Sequence, residues 1–228
     1  MEISPFVDRA NLLMVKDNLA NVLREDILSG KLKPGEAIVE GKWAQHLGVA
    51  QTSVREAINI LTAEGFVQKG SGRSARVTKL SHEDVAQIYE VRSYLESLAA
   101  KLAAEKRVPL GSLRQIVADM HAAADQLNLR AFYERDLQFH LSLAAACGNR
   151  ILEQTLRRIV VPLFAFVIIR LDLSKDADFW RKSIDLHRQI LDAIESGDTA
   201  FAEHLTRRSM VQFHDATAAV IEPSAPVP

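Results

Sequence analysis

The sequence predicts a mainly α-helical protein with two domains, and three observations carry this prediction. The chain has 228 residues, enough for two domains that each bury a core. Apolar residues recur at helical spacing over most of its length, and strand-like patterning is confined to residues 66–79. We therefore expect a first domain at residues 1–79, a helical domain at 80–221 and a disordered tail at 222–228, where three prolines lie.

The first domain begins with three predicted helices. Apolar residues over 12–27 repeat every three or four positions, and a short helix is expected at 39–47. The third helix is predicted to begin near Thr52 or Ser53. Ser53 and Glu56 match the S-x-x-E capping box, in which each side chain satisfies the other residue's backbone N–H.

A β-hairpin is expected after these helices. Residues 66–67 and 76–78 read as short strands, and the Gly-Ser-Gly sequence at 70–72 suits a hairpin tip. Two short helices joined by a tight turn and followed by such a hairpin are typical of a winged helix-turn-helix. This is the fold we predict for residues 1–79.

A helix-turn-helix presents the start of its second helix to base edges in the major groove. Arginine can bond guanine there, and glutamine or asparagine can bond adenine. The hairpin has basic residues and no acidic ones, which suits phosphate contacts. From pattern alone a solvated charged face is an equally good interpretation. The predicted DNA-binding residues are Gln51, Thr52, Ser53, Arg55 and Asn59 from the helix and Lys69, Arg73 and Arg76 from the hairpin.

The rest of the chain predicts an all-helical antiparallel bundle. Its apolar run at 159–169 is shorter than the roughly 20 residues that a membrane span needs. The single cysteine, Cys147, suits a reducing cytoplasm. The net charge of -1 does not exclude nucleic acid, because a local basic patch suffices. The six expected helices cover residues 81–106, 110–127, 129–146, 150–171, 176–196 and 199–220.

Asp136 and His140 are four residues apart, so both project from one helix face and could bind one metal ion. Such a pair is also common as a surface or hydrogen-bonded pair. A metal-dependent hydrolase would use similar residues, but the sequence has no Ser or Cys nucleophile motif and no phosphate-binding glycine loop. That function would also leave residues 1–79 unexplained. A helical scaffold that binds only protein partners is a further alternative, and it would predict no sequence-selective DNA binding.

Three segments within residues 32–67 resemble the DNA-binding domain of the GntR family. The turn reads L-G-V-A-Q-T-S-V-R-E-A-I, where the family commonly has L-G-V-S-R-T-P-V-R-E-A-L. Arg55 matches the family's second recognition-helix arginine. Gln51 stands where an arginine is usual and Ser53 where a proline is usual, so we expect an adenine reader in place of one guanine reader.

Most of residues 81–220 is similar to the FCD domain, the helical effector domain of the FadR subfamily within GntR. The segments that carry this resemblance are 90–96, 136–140, 148–149 and 187–198. Six helices rather than seven resemble the VanR-type branch. The resemblance implies a cytoplasmic homodimer that binds a palindromic double-stranded DNA operator, most often a repressor relieved by a small carboxylate.

The FCD resemblance also implies a divalent metal of the Zn, Mn or Ni class, held by an aspartate and three histidines. Asp136, His140 and His187 match three of these ligands, and Ser209 stands at the fourth position. A three-ligand site completed by water or effector, a weakened site that uses Ser209, and no metal at all therefore remain open. The effector-binding residues that the resemblance indicates are Arg92 and Asn149.

Overall fold

The computed structural model describes residues 9–69, 75–169 and 177–218. The chain folds as two compact units, Met1–Lys79 and Leu80–Pro228. The described part is mainly helical, as predicted. Its elements are α1 Arg9–Leu28, β1 Ala37–Ile38, α2 Glu40–Leu47, α3 Gln51–Ala63, β2 Val67–Lys69, β3 Ala75–Val77, α4 His82–Glu105, α5 Gly111–Asp125, α6 Leu129–Ala146, α7 Arg150–Ile169, α8 Ala177–Ser196 and α9 Thr199–Ala218.

In the first unit α1 packs against α3. Leu23, Ile27 and Leu61 are buried, so the apolar faces of the two helices form much of this core. Arg24 of α1 also donates from Nε and Nη2 to the two carboxylate oxygens of Glu64, at 2.9 and 2.8 Å. This packing fixes α3 by its inner face and leaves its outer face available.

The turn between α2 and α3 differs from the sequence prediction. Gly48 ends α2 at a φ of +65°, a left-handed conformation that glycine adopts without strain. The chain then enters α3 at Gln51, with Ala50 as the N-cap residue. The predicted capping box at Ser53 is therefore wrong. Because the helix begins two residues earlier, Ser53 lies one turn before buried Ala57 on the inner face and is itself buried.

A small antiparallel sheet completes the first unit, in the strand order β1-β3-β2. The hairpin of β2 and β3 was predicted, whereas β1 was not, because two residues show no detectable alternation. β1 joins β3 with Ala37 opposite Arg76, and Gln68 of β2 lies opposite the same arginine. The predicted hairpin tip at residues 70–72, and Arg73 beyond it, lie outside the described residues.

All six predicted helices occur in the second unit, and their described ends lie close to those expected. Ser81 caps α4: its hydroxyl accepts from the Asp84 N–H at 3.1 Å, and the Asp84 carboxylate accepts from the Ser81 N–H at 2.8 Å. α4 contacts α6, α7, α8 and α9. Neighbouring helices can approach α4 closely because its buried residues include the small side chains of Ala99, Ala100 and Ala103. No described helix is long and apolar enough to cross a membrane.

Candidate DNA-reading face and buried polar cluster

The first three turns of α3 carry a row of polar side chains. Gln51, Thr52 and Arg55 are exposed and Asn59 is half-buried. Gln51, Arg55 and Asn59 follow one another at intervals of four residues, so they lie along one side of the helix. We call these four residues the reading face. Ser53 was predicted to belong to it, but its side chain faces the core with 8% of its surface exposed.

Glu40, the first residue of α2, binds two members of the reading face. Its carboxylate accepts from Nε and Nη2 of Arg55, with a shortest distance of 2.7 Å, and from Nε2 of Gln51 at 3.2 Å. The hydrogen bonds and charge of Glu40 raise the pKa of Arg55 above its ordinary value, so the guanidinium stays charged. This contact was not predicted from the sequence, since α2 and α3 are brought together only by the turn at Gly48.

Basic residues of the sheet lie on the same unit as the reading face. Lys69 donates to Oδ1 of Asn59 at 2.7 Å, which joins β2 to α3. Arg76 is exposed and donates to the backbone carbonyl of Gly35 at 3.1 Å. Among the described residues, the side chains of Lys69 and Arg76 thus each make one hydrogen bond to the protein, and both are exposed to solvent.

In the second unit, the three predicted metal ligands lie together. Asp136 and His140 come from α6 and His187 from α8, and one possible ligand atom from each lies within 4.8 Å of the others. Oδ1 of Asp136 is 3.3 Å from Nε2 of His140 and 3.1 Å from Nε2 of His187. All three residues are buried. A carboxylate and two imidazoles at this separation form a suitable donor set for a divalent transition metal.

Two residues of α4 extend this group. Oε1 of Glu96 accepts from Nε of Arg92 at 2.6 Å, and Oε2 of Glu96 lies 2.6 Å from Nδ1 of His140. The side chains of Arg92 and Glu96 are only 1% and 2% exposed. Arg92 was predicted from the sequence as a site residue, whereas Glu96 was not. The signal was present, because an Arg and a Glu four residues apart share a helix face. We call Arg92, Glu96, Asp136, His140 and His187 the buried polar cluster.

The charges of this cluster determine its protonation. Burial favours the neutral form of Glu96, but the charges of Arg92 and His140 outweigh it and lower the pKa to about 2. Burial likewise opposes protonation of His140, yet the Glu96 carboxylate raises its pKa to about 9. The pKa of Asp136 also falls below its ordinary value despite burial, because both histidines lie against it. At neutral pH the cluster thus contains two carboxylates opposite charged Arg92 and His140.

Aromatic rings enclose the cluster. The ring of Phe139 lies edge-on to His187 with 4.4 Å between centroids, and the guanidinium of Arg92 lies 5.0 Å from the ring centre of Tyr89 and 5.3 Å from that of Phe164. Cation–π contacts of this kind help to stabilise a desolvated charge. The site is therefore a polar group in an apolar setting, where its electrostatic interactions are strong.

Ser209 and Asn149 take local roles in the structure. Ser209 is fully buried and its hydroxyl donates to the backbone carbonyl of Thr206 at 2.7 Å, within α9. Asn149 accepts from the N–H of Leu152 at 3.1 Å, at the start of α7. Neither contact joins these residues to the buried polar cluster. Their predicted roles as a weak fourth ligand and an effector contact remain predictions.

Two family models match the chain. The model "FCD domain" matches residues 87–212, and "Bacterial regulatory proteins, gntR family" matches residues 15–77. The protein is a GntR-family transcriptional regulator with an FCD domain. The family predicted from the sequence is confirmed, and its VanR-type branch stays a prediction. The reading face belongs to the GntR match, and the buried polar cluster to the FCD match.

Similar proteins agree with this assignment. The regulator is 27% identical over 218 residues to a "Probable D-xylose utilization operon transcriptional repressor" of Paenarthrobacter nicotinovorans, covering 93% of this chain and 94% of that one. It is 24% identical over 191 residues to the "Gluconate operon transcriptional repressor" of Bacillus subtilis (strain 168), covering 80% and 76%. These relatives are regulators, so the hydrolase considered from the sequence is not the function of this protein.

Two solved structures share the fold. "E. coli McbR/YncC" superposes with a TM-score of 0.70 at 21% identity, covering 90% of this chain and 97% of that one. A putative GntR regulator from Rhodococcus sp. RHA1 superposes with a TM-score of 0.69 at 20% identity, covering 91% and 99%. At this identity the likeness supports the fold alone.

Proposed function

We propose that this regulator is a repressor that binds a palindromic operator through residues 1–79 and is released when a small carboxylate binds within residues 80–221. The observation that carries the proposal is the reading face, where Gln51 and the charged side chain of Arg55 are exposed at the start of α3. A homodimer would place one such face on each half-site. We assign the regulator to the cytoplasm, where operator DNA lies. The predicted disordered tail at 222–228 lies outside the described residues.

DNA recognition is proposed to divide between the helix and the sheet. Arg55 would bond a guanine, while Gln51 and Asn59 would bond adenines in the major groove. Thr52, Lys69, Arg73 and Arg76 would contact phosphates and set the position of α3 on the duplex. Ser53 would make no DNA contact, because its side chain is buried.

The buried polar cluster is proposed as the effector site, with a divalent metal of the Zn, Mn or Ni class. Asp136, His140 and His187 would hold the ion, and the bound ion would attract a carboxylate by its charge. His140 must first lose its second proton, because only a neutral imidazole has a free nitrogen lone pair. Ser183, one turn before His187, is buried and its hydroxyl has no hydrogen-bond partner among the described residues. A bound water or ligand at this end of the cluster would satisfy it.

Purified regulator is expected to contain about one equivalent of divalent metal per chain, measured by elemental analysis. His187→Ala should lower this content several-fold, because one of three protein ligands is lost. His121→Ala is the matched control, since its ring also lies close to an aspartate, 3.0 Å from Asp125, but on the surface. Absence of metal from the native regulator, even after zinc or manganese is added, would contradict the assignment.

The carboxylate is proposed to bind near Arg92, whose guanidinium is buried, charged and able to bind a carboxylate through two hydrogen bonds. Two relatives are named for operons of D-xylose utilisation and of gluconate, which favours a sugar acid or similar small acid. The test uses a DNA sequence selected by the regulator in vitro and small acids paired with their neutral amides. We expect an acid, and not its amide, to lower DNA affinity. A dimer whose DNA affinity responds to no acid would contradict the sensor assignment.

A further inference from the structure

Glu40 is an acidic residue beside a surface that is proposed to bind a polyanion. Its negative charge opposes nearby phosphates, so a contact with Arg55 has a cost for DNA binding. An exposed ion pair also contributes little to stability, at most a fraction of the effect of a buried one. The Glu40 side chain is nevertheless only 14% exposed and accepts from two members of the reading face.

The bonds to Arg55 use one particular edge of its guanidinium. Nε and Nη2 donate to Glu40, whereas Nη1 donates to no residue within the described part of the chain. The remaining hydrogens of Nη1 and Nη2 form the end of the guanidinium fork. This end of the guanidinium has the geometry to donate two hydrogen bonds to one guanine, one to O6 and one to N7. Glu40 therefore occupies the side of the guanidinium and leaves its base-reading end available.

The bond to Gln51 also sets an orientation. A carboxylate only accepts hydrogen bonds, so the amide must present Nε2 to Glu40 and direct Oε1 elsewhere. One Nε2 hydrogen and Oε1 remain, which are the donor and the acceptor that adenine N7 and N6 require. Because the same oxygen, Oε2, serves Gln51 and Arg55, the two side chains are held relative to each other.

We propose that Glu40 is a positioning residue that holds Arg55 and Gln51 in one frame, so that a guanine and an adenine are recognised at a fixed spacing. This inference rests on the proposed reading face. The inference goes beyond the reading face because it makes the operator preference depend on an acidic residue of α2. In this chain that preference includes Gln51, which replaces the arginine usual in the family. Glu40 contacts no base itself.

The test compares full-length regulator with Glu40→Gln on double-stranded DNA selected from a library with a randomised central segment. Glu40→Gln keeps the side-chain shape but removes the charge and one acceptor oxygen. At the base position that Arg55 would contact, we expect the preference for guanine over adenine to fall about tenfold. This value lies in the lower part of the range for one bidentate contact. Affinity for unrelated duplex DNA should stay equal or rise slightly, because a negative charge is lost.

Glu56→Gln is the matched control, because Glu56 is exposed on α3 itself and its removal changes the charge by the same amount. It should leave the guanine preference unchanged. Equal effects of the two variants on specific and unrelated DNA would overturn the inference, since charge alone would then explain them. A guanine preference that Arg55→Ala removes and Glu40→Gln leaves intact would overturn the inference but not the reading face. A preference that survives Arg55→Ala would reject both.

Discussion

Replacing Arg55 with alanine is expected to abolish sequence-specific DNA binding by this regulator. The side chain is exposed at the start of α3 and supplies the bidentate donor that guanine requires. One such contact is worth about 1–3 kcal/mol, and a dimer would lose it in both half-sites. Fluorescence anisotropy at one fixed salt concentration should show selected and unrelated DNA binding with nearly equal affinity.

Arg76→Ala is the control that separates base reading from charge. Arg76 is exposed on β3, where a phosphate contact is proposed. Its loss should weaken all duplexes by a similar factor and reduce the slope of log affinity against log salt by about one for each half-site, or about two for the dimer. Full discrimination retained by Arg55→Ala would show that the bases are read elsewhere.

Glu96→Ala should destabilise the second unit severely. Glu96 is buried and contacts both Arg92 and His140, so its removal leaves buried Arg92 without its hydrogen-bonded carboxylate and His140 with the carboxylate of Asp136 alone. Removing one partner of a buried ion pair typically costs about 3–5 kcal/mol. Urea unfolding monitored by circular dichroism should show this loss as a much lower midpoint for the FCD domain.

The chain contains a matched exposed pair of the same type. Arg130 donates to Glu134 four residues away at 3.1 Å, and their side chains are 43% and 55% exposed. Glu134→Ala should change stability by about 0.5 kcal/mol or less, since solvent screens this pair. Similar small effects of Glu96→Ala and Glu134→Ala would show that the buried polar cluster does not depend on Glu96.

The arrangement of the cluster suggests how a ligand could act on the fold. Its five residues come from α4, α6 and α8, and α4 also packs against α7 and α9. A ligand held by this group would therefore contact several helices of the unit at once. It can shift the regulator between two states only if it binds one of them more tightly, since equal affinity for both shifts nothing.

The sequence was sufficient for features that depend on local patterning. Helical periodicity predicted α4 through α9, and the resemblance placed Arg55 on the second helix of the DNA-binding motif. Asp136, His140 and His187 were predicted as a group and lie together. In each case, spacing along one helix or similarity to a family is directly visible in the chain.

Other features depend on contacts between elements and could not be predicted in this way. The face of α3 on which Ser53 lies follows from where the turn after Gly48 enters the helix. The partner of Arg55 is Glu40, 15 residues earlier, and the partner of His140 is Glu96 on another helix. β1 is too short to show a pattern and exists because it pairs with β3.

Selection of genomic DNA fragments by the purified full-length regulator tests the central claim most directly. Fragments that remain bound at moderate salt would be sequenced and compared with those recovered by Arg55→Ala. The account predicts enrichment of a small set of sites that share an inverted repeat with guanine and adenine at a fixed spacing in each half, and loss of that enrichment in the variant. Recovery of fragments without any shared sequence would contradict it.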